Sequence, residues 1–203
     1  MIPGLPRILT CPFCGKEKEI MTLISGNTCH MIQWSDNKRI APMLPEISYV
    51  QKCPNCGKYY IIERQEVKYA REGHSFERGL LTYPEMKEAF AQLSEEGFLY
   101  EKEEPRLRMM LHHAFNDYYY RSEDNKEISD EDETLFHENG IWLINNHITD
   151  NVMKSEFYRE IGEFETALGI LESVQVENEF LKRIVSKIRE RIENRDRKVF
   201  KIQ

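Results

Sequence analysis

The sequence predicts an α+β protein, with a small β domain over residues 1–69 followed by an α-helical domain over residues 70–203. Three observations carry that reading. Two near-identical Cys-Pro-x-Cys-Gly-Lys clips, at 11–16 and 53–58, lie among short runs of β-forming residues. Beyond residue 69 the apolar residues switch to the i, i+3, i+4, i+7 spacing of helices. Charge steps near the same place: residues 1–64 carry eight Lys/Arg against five Asp/Glu, and the remainder carries 20 against 30.

The N-terminal elements are short. Residues 8–10 precede the first clip and 19–24 follow it, with a turn at Ser25-Gly26-Asn27. Met31–Trp34 reads as a strand and Ser35-Asp36-Asn37-Lys38 as a hairpin turn. Pro42 and Pro45 confine the next stretch to an edge or loop. Residues 49–52 enter the second clip, and 59–67, rich in β-formers, leave it.

The helical part opens at Thr82-Tyr83-Pro84-Glu85, a capping box with Pro in the first turn. Met86, Ala89, Phe90 and Leu93 form its stripe, and Gly97 ends it. A second helix starts near Pro105 with the stripe Leu107, Met110, Leu111, Ala114 and Tyr118. After the acidic stretch 122–133, Ser129 caps a third helix starting at about residue 130, which either restarts at Thr149-Asp150 or runs on to Ile161. Phe164, Ala167, Leu168 and Leu171 mark one further helix; Leu181, Ile184, Val185, Ile188 and Ile192 mark another.

Five cysteines are few for a disulfide scaffold of 203 residues, and four of them sit in Cys-x-x-Cys pairs. Such a pair can aim two thiolates at one ion when the intervening turn is tight. Pro after the first Cys presets φ, and Gly after the second can take a positive φ. The duplicated clip resembles the zinc-ribbon families, in which two knuckles on separate β-hairpins share one ion. That resemblance covers residues ~7–64 and implies one structural Zn²⁺ per chain, held by Cys11, Cys14, Cys53 and Cys56. The 38 residues between Cys14 and Cys53 leave room for an inserted hairpin near Trp34–Lys38. Cys29 and His30 fall in that insertion, with Cys29 expected as a small buried residue.

Cys11-Pro12-Phe13-Cys14 also resembles a glutaredoxin-type redox motif, but Gly15-Lys16-Glu17-Lys18 is a poor helix start and redox chemistry needs no second clip. Nucleic-acid association is a further alternative. A four-thiolate zinc carries a formal charge of about −2, which lowers the segment's positive balance and makes Lys16, Lys52 and Lys58 local compensation. No Gly-rich phosphate loop, Gly-x-Ser-x-Gly elbow or His-Glu-x-x-His occurs, which weighs against an enzyme.

Residues 154–174 resemble one tetratricopeptide helix pair, with Ser155, Tyr158, Gly162 and Ala167 at the packing positions of a hairpin spanning about 150–174. No second copy occurs at that period, so the neighbouring helices must complete the array. The order of ribbon, Tyr/Arg-rich helix with Phe115-Asn116-Asp117 and repeat-like helices is similar to a class of bacterial proteins with no assigned activity. His113 and Asp117 stand at i, i+4 but are expected as ordinary hydrogen-bonding groups. With no run of ~20 apolar residues and no signal-peptide pattern, the expectation is a soluble, cytoplasmic, non-enzymatic scaffold. Its helices would meet another protein, and neither nucleic acid nor a membrane is the expected partner.

Overall fold

A computed structural model describes residues 1–124 and 126–202. The chain forms two compact units: residues 1–32 with 39–99, and residues 33–38 with those from 100 onward. Strands β1 (Ile2–Pro3), β2 (Arg7–Thr10), β3 (Glu17–Ile20), β4 (Leu23–Ser25), β5 (Ile32–Gln33), β6 (Arg39–Ile40), β7 (Val50–Lys52), β8 (Tyr59–Ile61) and β9 (Lys68–Tyr69) precede helices α1 (Tyr83–Glu96), α2 (Glu103–Tyr119), α3 (Asp130–Asn146), α4 (Asn151–Glu160), α5 (Phe164–Glu172) and α6 (Glu179–Glu193). This is an α+β arrangement of small antiparallel strands followed by helices.

In the first unit, β2 and β3 form an antiparallel hairpin with Arg7 opposite Ile20 and Thr10 opposite Glu17, and β9 pairs with the other side of β2. β7 and β8 form a second hairpin, Lys52 opposite Tyr59 and Val50 opposite Ile61. The β-rich run after the second clip does not continue as one strand. It breaks at a 3₁₀ turn over Ile62–Arg64. Arg7 donates to the carbonyls of Ile62 and Gln65 at 2.8 and 3.1 Å, which holds that turn beside β2. Leu9, Cys11, Ile20, Cys53 and Tyr60 form one buried cluster in this unit, flanked by Ile47 and Ile62.

Helix α1 belongs to this unit. Its expected capping box is present, with Thr82 N–H donating to Glu85 Oε2 at 3.1 Å. Tyr83, Met86, Ala89 and Leu93 are buried. Gln92 lies against β8: its side-chain amide accepts from Tyr59 N at 3.1 Å and donates to Tyr59 O at 2.9 Å, satisfying strand groups that no neighbouring strand meets.

In the second unit, Ser129 and Asp150 cap α3 and α4 by accepting from the backbone N–H of Asp132 and Met153. The α2 stripe is rotated from the expected one. Leu107, Leu111, His112, Phe115, Asn116 and Tyr119 are buried, while Met110, Ala114 and Tyr118 are half-buried. Polar His112 and Asn116 therefore take interior positions that a hydrophobic count assigns to their neighbours. α4 and α5 form a tight hairpin: Gly162 turns with φ +90°, and Ser155 Oγ donates to Ala167 O at 2.8 Å with both residues buried. Phe164, Ala167, Leu171, Ile188, Ile192 and Phe200 make an apolar core across α5, α6 and the C-terminal segment. Residues 33–38 join this unit through Ser35, whose N–H donates to Phe200 O at 2.9 Å and whose Oγ accepts from Phe200 N at 3.1 Å.

Candidate metal centre

The two clips occupy the tight turns of the β2–β3 and β7–β8 hairpins and are built alike. Cys11 N donates to Lys16 O at 2.9 Å and Gly15 N to Cys11 O at 2.9 Å. The second clip repeats this with Cys53 N to Lys58 O at 2.8 Å and Gly57 N to Cys53 O at 3.0 Å. Gly15 and Gly57 both have φ +73°, a left-handed value that a Cβ disfavours. Duplicated sequence thus folds to duplicated geometry.

The turns bring all four sulfurs within 4.8 Å of one another. The first Cys of each clip is buried and the second exposed. Close approaches run between the clips: Cys11 Sγ to Cys56 Sγ is 3.7 Å and Cys14 Sγ to Cys53 Sγ is 3.6 Å. These separations are far from the ~2.05 Å of a sulfur–sulfur bond, and they suit four thiolates sharing one ion. Four cysteines are positioned to bind a metal.

Electrostatics shows what the cluster needs. The backbone N–H of Lys16 and the Asn55 amide, which donates to Cys14 Sγ at 3.5 Å, lower the Cys14 thiol to about 6. Burial raises Cys11. Cys56 is lowered by the Lys58 N–H, but burial and the other three thiols push it up to about 12. One thiolate forms readily and the next is resisted by the charge already present. A central cation removes that resistance. Lys52 has partners of its own: its ammonium pairs with Glu85 at 3.1 Å and lies 5.3 Å from the Tyr59 ring centroid.

Cys29 is exposed rather than buried, because its segment is a surface turn in which Cys29 N donates to Asn27 Oδ1 at 3.0 Å and His30 has φ +59°. His113 and Asp117 do not converge. His113 Nε2 bonds to Asp36 O at 3.0 Å, whereas Asp117 pairs with Arg121 at 2.7 Å and also with Lys38.

Sequence reasoning missed a buried polar group in the second unit. His112 Nε2 shares a 2.7 Å hydrogen bond with Glu160 Oε2, and Asn116 Nδ2 donates to Glu160 Oε2 and Asp36 Oδ2, each at 2.9 Å. Arg121 pairs with Asp36. The His112 ring lies between Phe136 and Phe157, with centroids 4.7 and 4.4 Å away. Asp36 reads as a turn residue and Glu160 as a solvated helical acid, so only their distant partners reveal them. The arrangement fastens residues 33–38 to α2 and α4.

No protein-family model, curated protein or solved structure matches the chain. No helix among the described residues is long and apolar enough to cross a membrane.

Proposed function

We propose that this chain is a non-enzymatic interaction protein stabilised by one Zn²⁺ at Cys11, Cys14, Cys53 and Cys56, with its helical unit presenting a face to a partner protein. The observation that carries the metal half is the pair of sulfur separations between the clips, 3.6 and 3.7 Å. A tetrahedral zinc with ~2.3 Å bonds to sulfur has edges of roughly 3.8 Å. Bound there, the ion supplies charge neutralisation and a cross-link between the two hairpins. Four sulfurs fill its shell, so the role is structural.

The protein's own residues prepare that site. Gly15 and Gly57 permit the turns, Asn55 and the Lys16 N–H stabilise the Cys14 thiolate, and Leu9, Ile20 and Tyr60 pack behind Cys11 and Cys53. The four strands carrying this arrangement are only three or four residues long, so an ion shared by two hairpins contributes much of the unit's stability.

What supports the interaction half is the α4–α5 hairpin. Its Ser155–Ala167 contact and Gly162 turn agree with the tetratricopeptide resemblance, and such helix pairs bind other proteins through exposed faces. Thiol redox chemistry is disfavoured because each close sulfur approach joins different clips. The proposal predicts one zinc per chain in protein purified without added metal. It also predicts partner capture from host lysate that requires the helical unit. Metal-free protein with an oxidised Cys11–Cys14 pair would replace it with the redox reading.

A further inference from the structure

Helix α6 carries one face into the core through Ile188 and Ile192, with Ile184 and Val185 partly buried beside them, and leaves its opposite face toward solvent. Along its side lies a depression of about 400 Å³ lined by Phe180, Arg183, Ile184, Lys187 and Ile202. Phe180, Ile184 and Lys187 follow i, i+4, i+7, so they stand in one row, and Arg183 stands one turn before Lys187. Phe180 is 41 % exposed, and Ile184 and Ile202 are half-buried against the core.

The charge of this depression is one-sided. Among the described residues no carboxylate pairs with Arg183 or Lys187, and no acid lines the depression. The other cations of α6 are engaged: Lys182 with Glu179 at 2.7 Å, Arg189 with Glu172 at 3.9 Å, and Arg191 with Asp196. Arg183 lies 6.0 Å from the Phe180 ring centroid, so the cation borders the apolar floor. The chain as a whole carries a net charge of −7. Two cations with no ion-pair partner among the described residues, beside an apolar floor, suit an anionic, partly apolar occupant, although Lys187 also borders a neighbouring depression that holds Glu190 and Asp196.

We infer that this groove is the partner-binding face of the helical unit and takes an acidic amphipathic peptide segment of another protein. An apolar side chain sits over Phe180, Ile184 and Ile202, and two carboxylates one helical turn apart meet Arg183 and Lys187. This deepens the proposed interaction role and rests on it. Because the cations flank the apolar floor in water, association weakens as salt rises.

The test is fluorescence anisotropy on the zinc-loaded full chain. The probe is a fluorescein-labelled helical peptide of about 12 residues with Leu at i, i+4 spacing and Glu elsewhere, compared with its Lys-for-Glu counterpart. The acidic peptide binds and the basic one does not. Arg183→Gln/Lys187→Gln weakens binding by roughly tenfold or more, while Lys182→Gln/Arg189→Gln, with the same charge change on the same helix, leaves it within about twofold. Lys187→Gln alone serves should the double variant lose its helical signal, and it weakens binding at least threefold (~0.65 kcal/mol). Binding of both peptides alike, equal affinity in the groove variant, or self-association in place of peptide binding overturns the inference. Lysate capture separates the two levels: wild type and groove variant retaining the same partners defeats the groove alone. Absence of partners with either defeats the interaction role as well.

Discussion

His112 and Glu160 share a 2.7 Å hydrogen bond with neither side chain accessible to water. Burial lowers His112 to about 4 and raises Glu160 well above its ordinary range, where Glu156 and Asp36 add to the shift. Burial thus favours the neutral form of both groups. Asp36 and Glu156 favour protonation of His112 and Arg159 opposes that of Glu160, but burial outweighs them.

The signs of these two shifts oppose each other. Below about pH 6.5 the unfolded chain protonates His112 while the folded chain does not until about 4, so that group destabilises the fold on acidification. Glu160 keeps its proton in the fold above the unfolded value near 4.5, so it destabilises the fold as pH rises. The two slopes have opposite signs, so each masks part of the other wherever both groups bind different numbers of protons in the folded and unfolded chains. Glu160→Gln therefore removes the alkaline loss and uncovers an acidic one on the order of 3 kcal/mol between pH 6.5 and 4. Both tryptophans, Trp34 and Trp142, lie in the second unit, so urea unfolding followed by tryptophan fluorescence reads it. An unchanged pH profile in the variant would contradict this account.

Asp36 is fully buried and accepts from Asn116 at 2.9 Å and from Arg121. Burial alone would raise its carboxyl, but His113, Arg121 and Asn116 hold it at about 2. Asp36→Ala leaves the Arg121 cation, which is 7 % exposed, with the partly exposed Asp117 as its remaining carboxylate partner. Removing one partner of such a pair costs roughly 3 kcal/mol, read as a lower urea midpoint by tryptophan fluorescence. A change below about 0.5 kcal/mol would show that water replaces the carboxylate there.

Gln92 substitutes for a missing strand by bonding both backbone groups of Tyr59. Gln92→Ala leaves those groups without their partner and destabilises the first unit by about 1–3 kcal/mol. Gln92→Glu keeps the acceptor but loses the donor to Tyr59 O, and recovers only part of that. Amide hydrogen exchange at Tyr59 is the direct measurement. Protection that survives in Gln92→Ala would show another group closing the strand.

Gly57 has φ +73° with nothing within 4 Å of where a Cβ would sit, so Gly57→Ala introduces backbone strain without a clash. That strain, about 1–2 kcal/mol, lowers metal affinity roughly tenfold, and Gly57→Asn lowers it less. Gly79 differs: it has φ +62°, and a Cβ there meets the Gln51 amide. Gly79→Ala is accordingly the more damaging change in thermal denaturation. Equal effects would mean that the loop at Gly79 shifts freely.

Local signals in the sequence specified the local structure well. The duplicated clips, the capping box at Thr82, the caps at Ser129 and Asp150 and the stop at Gly97 each depend on a few adjacent residues, and each is found in place. Long-range polar pairing was not legible. Asp36 and Glu160 look solvated when only their neighbours are considered, and the α2 stripe was displaced because His112 and Asn116 go inward to meet them. The period change near residue 69 marks the end of the strands, whereas the first compact unit continues to Leu99 because α1 supplies Gln92 and Glu88 to Tyr59.

The central claim is that the four cysteines share one structural zinc. Metal analysis of freshly purified full-length protein, combined with chelator titration, tests it most directly. The account predicts one zinc per chain and loss of strand signal on chelation, with tryptophan fluorescence of the second unit retained. Protein that is folded and metal-free, with Cys11 joined to Cys14 and Cys53 to Cys56, would contradict it.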